Sequence, residues 1–107
     1  MDEAKLKQLK ADAANSGREL VAFKSKTAEV VFRVPNGVEM DAYRTRHGSD
    51  RAKIPEANKG LLATCLAYPD SESFQQILNE RPLLLEKWSD KLTDAAGADE
   101  VIEVKKL

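Results

Sequence analysis

Residues 54–97 read IPEANKGLLATCLAYPDSESFQQILNERPLLLEKWSDKLTDAAG and hold most of the large apolar side chains of this 107-residue chain. Pro69 and Pro82 divide the stretch into three blocks. In each block apolar residues recur at intervals of three and four, the period of one face of an α-helix. Such a face is not stable alone in water, so the three helices must bury their stripes against one another or another element. The stripes are Ile54, Ala57, Leu61, Leu62, Cys65 and Leu66; Phe74, Ile77 and Leu78; and Leu84, Leu85, Trp88, Leu92 and Ala96.

Prolines and capping residues set the expected ends of these helices. Pro55 suits the first turn of a helix, which we expect to end before Pro69. Asp70 is the expected N-cap of the next helix, and Pro82 ends that helix at Arg81 and opens the last one, which runs to Ala96-Gly97. Trp88 is predicted to lie in the core, against Leu61, Leu62 and Leu78.

Two short strands are predicted before these helices. Residues 20–24 place Val21 and Phe23 on one face, and residues 29–34 alternate more clearly. Together they form a β-hairpin, which is marginal alone in water and must pack on the helices or gain strands from another subunit.

The segment Pro35-Asn36-Gly37 fits two structures. Asn-Gly between apolar runs is a strong hairpin signal and would continue the sheet into a third strand. Alternatively, Asn36 is an N-cap with Glu39 three residues later, a capping-box arrangement. In that case Val38, Ala42, Tyr43 and Arg46 lie on one side of a helix.

The two ends of the chain are expected to be peripheral. Residues 2–16 predict a helix, with Asp2 and Glu3 at its positive end and Gly17 as its stop. Its apolar stripe is thin, consisting of Leu6, Leu9 and Ala13, so the helix is either loosely docked or packed on a partner. The tail, 98–107, is expected to be a short strand or a disordered end.

We therefore expect a single α+β domain over 1–107, an N-terminal β-hairpin packed on a mostly helical bundle of about four helices. Its parts are a peripheral helix (1–18), the hairpin (19–35), a helical core (36–97) and the tail (98–107). Composition is 42% hydrophobic and 33% charged, with no membrane-length apolar run. A single cysteine fits a reducing compartment, and the N-terminus has no apolar core of a signal peptide. We expect a soluble cytoplasmic protein that is not membrane-bound.

Candidate catalytic and metal-binding residues are few. His47, with Ser49 and Asp50 beside it, does not form a triad, because triads combine residues that are distant in sequence. Cys65 lies on an apolar stripe, where a free cysteine behaves as a small core residue. One Cys and one His cannot complete a zinc site, and there is no glycine-rich phosphate loop. We expect no catalytic residues, no cofactor and no metal.

The strongest charged feature is a basic cluster, flanked by Tyr43 and His47. It could contact phosphates while an aromatic ring stacks on a base. The cluster is short, contains Asp50, and belongs to a chain of net charge -1, so we prefer a solvated surface and consider nucleic-acid binding the weaker alternative. Its members are Arg44, Arg46, Arg51 and Lys53.

From Val30 to Gly97 the chain resembles the small tail assembly chaperones of long-tailed bacteriophages and prophages. The resemblance lies in the order of several features. These are the strand Val31-Phe32-Arg33-Val34-Pro35, the segment Glu39-Met40-Asp41-Ala42-Tyr43-Arg44, the helix end Leu62-Ala63-Thr64-Cys65-Leu66-Ala67-Tyr68-Pro69, Phe74 with Ile77-Leu78, and Arg81-Pro82 before the last helix.

The resemblance implies an assembly factor without an active site, which binds the tape measure protein and keeps it soluble while the tail tube assembles. The tail tube protein and a second copy of the chain are further expected partners. The resemblance also favours a helix after Pro35. We expect Leu6, Leu9 and the outer edge of the hairpin to contribute to binding or self-association. A phage-encoded regulator or inhibitor of another protein remains an alternative function.

Overall fold

The computed structural model describes residues 3–107 and contains five α-helices and a three-stranded antiparallel sheet. The predicted α+β class is confirmed. Met1 and Asp2, which include the start of the predicted first helix, lie outside the described residues. The elements are α1 (Glu3–Ser16), β1 (Leu20–Lys24), β2 (Glu29–Arg33), α2 (Gly37–His47), a 3-10 turn (Arg51–Lys53), α3 (Ile54–Cys65), β3 (Leu66–Tyr68), α4 (Ser71–Glu80) and α5 (Leu84–Thr93).

The predicted hairpin is present as β1 and β2, with Val21 opposite Phe32 and Phe23 opposite Val30. The sheet is larger than predicted, because β3 pairs antiparallel with the other edge of β2. Helix α3 ends before Pro69, as predicted, but it already ends at Cys65, and Leu66, which was assigned to its apolar stripe, begins β3.

One local and one long-range contribution account for β3. Tyr68 precedes a proline, and the proline ring disfavours helical backbone at the residue before it; the Tyr68–Pro69 peptide is cis. Moreover, the Arg33 guanidinium donates to the carbonyl oxygen of Leu66 at 2.9 Å and to that of Thr64 at 3.4 Å. Arg33 thus supplies hydrogen-bond donors for carbonyls at the end of α3, where the helix cannot.

The ambiguity at Asn36 is decided in favour of a helix. The Asn36 side chain accepts a hydrogen bond from the Glu39 amide at 2.9 Å, and the Glu39 carboxylate accepts one from the Asn36 amide at 3.0 Å. This is a complete capping box, which satisfies two otherwise unpaired donors at the start of α2. The helix continues through His47.

The helix boundaries set by Pro55, Asp70 and Arg81 are confirmed. Pro55 stands in the first turn of α3, Asp70 accepts a hydrogen bond from the Ser73 amide at 2.8 Å, and Arg81 follows the last residue of α4. The last helix is a regular α-helix only to Thr93, but a wider helical turn over Asp94–Ala98 continues it. Gly97, at the predicted end, has a φ of 117°, which favours glycine.

The core lies between the sheet and helices α3, α4 and α5. Phe32 is fully buried at its centre, with its ring 5.8 Å from that of Phe74 and 6.4 Å from that of Trp88. Phe74 and Trp88 stack at 5.6 Å. Trp88 is buried in the same cluster as Leu61, Leu62 and Leu78, as predicted. Within residues 3–107, no helix is long and apolar enough to cross a bilayer.

Candidate protein-binding surfaces

Helix α1 is weakly packed on the rest of the fold. None of its residues, Glu3–Ser16, is buried. Leu6 is 37% exposed, and Leu9 and Ala13 are only half-buried. The structure therefore leaves two predicted binding residues, Leu6 and Leu9, within reach of a partner.

An open cleft of about 280 Å³ separates α1 from the outer face of the sheet. Leu9 and Ala13 line it from the helix, and Leu20, Arg33 and Ala67 line it from the strands. A cleft with apolar side chains on both walls can admit a further apolar side chain without unfolding the core.

The C-terminal end of α1 is held by the residues that follow it. The Arg18 amide donates to the carbonyl of Ala13 at 2.9 Å. The Arg18 guanidinium donates to the carbonyl of Val34 at 2.8 Å and pairs with the Glu39 carboxylate at 2.6 Å. Arg18 therefore joins the end of α1 to β2 and α2. The residues of the first turns of α1, 3–8, are exposed.

A second exposed apolar feature lies where α4 meets α5. Leu83 is 72% exposed beside a shallow hollow that Arg81, Pro82, Leu84 and Lys87 also line. Sequence reasoning assigned Leu84 and Leu85 to the core and did not single out Leu83. The signal was available, because three consecutive leucines cannot all face one side of a helix.

A third feature is the groove between α2 and α3. Val38, which begins this groove, is 78% exposed. Val38, Ala42, Tyr43 and Arg46 share one side of α2, as the helical alternative predicted. Gly60 of α3 has no side chain, and the Arg46 guanidinium occupies the space that a Cβ would take there. The glycine thus allows a close approach of the two helices.

The basic cluster is exposed but partly engaged within the fold. The Arg44 guanidinium lies 3.3 Å from the Asp41 carboxylate, and the Arg46 guanidinium covers Gly60. The Tyr43 hydroxyl donates to the Asn58 side chain at 2.8 Å, and its ring meets that of His47 at 5.0 Å. Both aromatic rings of this region are thus used in packing, which weakens the case for base stacking.

The lone cysteine and histidine occupy structural settings. Cys65 is fully buried in the core, as predicted, and burial together with the negative charge of Glu39 raises the pKa of its thiol to about 12. Such a thiol is a poor nucleophile at neutral pH. His47 is half-buried, with Nδ1 2.8 Å from the Gly48 carbonyl oxygen. Residues 3–107 contain no group of three or more His, Cys, Asp and Glu that could hold a metal ion.

Comparisons with known proteins extend the description of the fold only. No protein-family model matches the sequence. No curated protein matches it significantly. Among solved structures, the chain is similar to the uncharacterised protein rbstp2171 from Bacillus stearothermophilus, with a TM-score of 0.65 and 20% sequence identity over 90% of this chain and 98% of that one. At this identity the similarity establishes a shared fold along nearly the whole length of both chains.

Proposed function

We propose that this protein is a tail assembly chaperone, which binds apolar helical segments of a phage tape measure protein and keeps them soluble during assembly of the tail tube. The observation that carries the proposal is helix α1, which has no buried residue and whose Leu9 lines an open cleft against the sheet. The order of features from Val30 to Gly97, which resembles that of small tail assembly chaperones, supports the same function.

The physical requirement for such a chaperone is a weakly held apolar surface. A tape measure protein presents long amphipathic helices, and their apolar stripes aggregate unless they are covered. A helix can cover such a stripe by placing its own apolar side chains at intervals of three and four residues. Leu6, Leu9 and Ala13 have this spacing on α1. Because α1 has no buried side chain, exchanging its contacts with the sheet for contacts with a partner costs little apolar burial.

The proposal is tested by co-expression with the tape measure protein encoded in the same phage or prophage. The wild-type chain is expected to keep the long protein soluble and to elute with it at many copies per chain. Replacing Leu6→Lys and Leu9→Lys together should reduce the soluble tape measure protein severalfold, because two charges would enter the apolar contact.

Two control variants make the test specific. Leu83→Lys introduces the same charge at an exposed leucine far along the chain, and should leave co-elution unchanged. A triple variant reverses three charges of the basic cluster: Arg44→Glu, Arg46→Glu and Arg51→Glu. It should abolish binding only if the bound ligand is a nucleic acid that contacts this cluster. Circular dichroism confirms that each variant is folded. A tape measure protein that stays insoluble with the wild-type chain, or equal rescue by the Leu6/Leu9 variant, would refute the proposal and favour a regulator of another protein.

A further inference from the structure

The longer of the two edges of the sheet lies along β1, which has five residues, whereas the opposite edge strand, β3, has three. Strand order is β1-β2-β3, so β1 pairs with β2 on one side, and no described strand pairs with its other side. The Glu19 carbonyl accepts from the Val34 amide at 2.9 Å, and the Ser25 amide donates to the Ala28 carbonyl at 2.8 Å. Backbone groups alternate between the two sides of an antiparallel strand. The amides and carbonyls of Leu20, Ala22 and Lys24 therefore point to the open edge.

The core face of the sheet is incompletely covered at this edge. Val21 and Phe23 pack against the hydrophobic core but are only half-buried, whereas Val30 and Phe32, on the next strand, are fully buried. An additional strand beside β1 would complete both the hydrogen bonding and the apolar cover at the edge.

The C-terminal tail has the composition of a strand but no regular structure. Residues 100–106 read EVIEVKK, a sequence rich in β-branched residues. Val101, Ile102 and Val104 are 95%, 79% and 88% exposed, so the tail is not packed on its own chain in this structure. In a strand, Ile102 and Val104 would share one face, and Val101, Glu103 and Lys105 would share the other.

One antiparallel alignment of the tail with β1 matches both the apolar and the charged residues. It pairs Phe23 with Ile102 and Val21 with Val104, which places both apolar pairs on the core face. At the two ends it brings opposite charges together, because Lys26 falls opposite Asp99 and Glu19 opposite Lys106. Cross-strand pairs of aromatic and β-branched residues, and of opposite charges, are the pairs that stabilise a sheet. Glu103 falls opposite Ala22, diagonally adjacent to Lys24.

The competing alignments place like charges together. A parallel tail that pairs Val21 with Ile102 and Phe23 with Val104 puts Glu19 opposite Glu100 and Lys24 opposite Lys105. Pairing of β1 with the β1 of another copy, centred on Ala22, puts Arg18 opposite Lys26. Like charges directly opposite one another destabilise a strand pair. Charge complementarity therefore selects the antiparallel tail among these three arrangements.

We infer that the tail of a second copy, residues 99–106, adds to the open edge of β1 as a fourth, antiparallel strand. Each copy has one tail and one β1 edge, so a reciprocal exchange forms a closed two-fold dimer. The inference concerns self-association and does not depend on the identity of any other partner. It therefore stands or falls separately from the proposed chaperone activity.

The inference is tested on the full chain by analytical ultracentrifugation over a range of concentrations. The wild-type chain is expected to dimerise. Ala22→Pro removes the amide that points to the open edge and spares the hydrogen bonds to β2, so the variant should be monomeric. Ile102→Lys changes a largely exposed side chain and should also be monomeric. An equimolar mixture of the two variants retains one intact edge and one intact tail, and should form a dimer containing one chain of each.

A charge-swap pair tests the same contact without introducing a proline, so the test does not depend on correct folding of the Ala22→Pro variant. Ala22→Glu places a carboxylate opposite Glu103 and should weaken the dimer at least tenfold, and adding Glu103→Lys should restore it. Val38→Lys, at an equally exposed valine on α2, is the control that should leave the dimer unchanged. A wild-type chain that stays monomeric, with or without its own tail on β1, overturns the inference. So does an Ile102→Lys variant that still dimerises, or a mixture of variants that does not.

Discussion

Among single residues, Cys65 couples the stability of the core to pH. Its thiol is fully buried in the same cluster as Val30 and Leu62. Burial raises the pKa of the thiol to about 12, from an ordinary value of 9.0, and the Glu39 carboxylate acts in the same direction. The charges of Arg18 and Arg33 oppose the shift only partly.

The sign of the resulting pH dependence follows from the two pKa values. Below pH 9.0 the thiol is protonated in both the folded and the unfolded chain and has no effect. As pH rises from about 9 towards about 12, only the unfolded chain loses the proton, so the free energy of unfolding decreases. Urea unfolding at several alkaline pH values should show this decrease, and Cys65→Ala should have a shallower slope. Identical slopes for both proteins would contradict the assigned pKa.

Among the elements, α2 depends on its capping box. Asn36→Ala removes the acceptor for the Glu39 amide, and we expect it to lower the free energy of unfolding by about 1 kcal/mol. The midpoint of thermal unfolding should fall by roughly 4 °C for a chain of this size. Thr45→Ala, at an exposed position of the same helix, is the control and should change the midpoint little. Equal effects of the two substitutions would show that the cap does not stabilise α2.

The same elements show which parts of the fold the sequence could predict. Helices α3, α4 and α5 could be predicted from the helical spacing of their apolar residues, from the positions of prolines and from a capping residue, because these signals are local in the sequence. At Asn36 two local signals competed, and the tertiary link from Glu39 to Arg18 supports the helical one. Strand β3 could not be predicted, since three residues carry no period and their pairing with β2 joins segments more than thirty residues apart. The exposure of Val38 likewise depends on how the helices pack.

For the whole molecule, packing is uneven along the chain. The radius of gyration is 15.1 Å, whereas a compact domain of similar length has about 13 Å. The difference is consistent with a long, weakly packed α1 and an exposed tail at opposite ends of the sequence. Sequence reasoning identified Leu6 and Leu9 from the thin apolar stripe of α1, but the cleft beside Leu9 arises from the three-stranded sheet and could not be foreseen.

This uneven packing predicts two levels of protection of backbone amides against hydrogen exchange with solvent. Amides of α1 should exchange with solvent much faster than those of α3 and α5, because α1 contains no buried side chain, whereas α3 contains the buried Leu61, Leu62 and Cys65. Hydrogen exchange followed by NMR or mass spectrometry measures both sets in one sample. Dilution of the sample is the control, since protection from self-association would fall with concentration. Protection of α1 equal to that of α3 in the dilute protein would mean that α1 is an integral part of the core, and a helix held so firmly could not exchange its contacts for those of a partner.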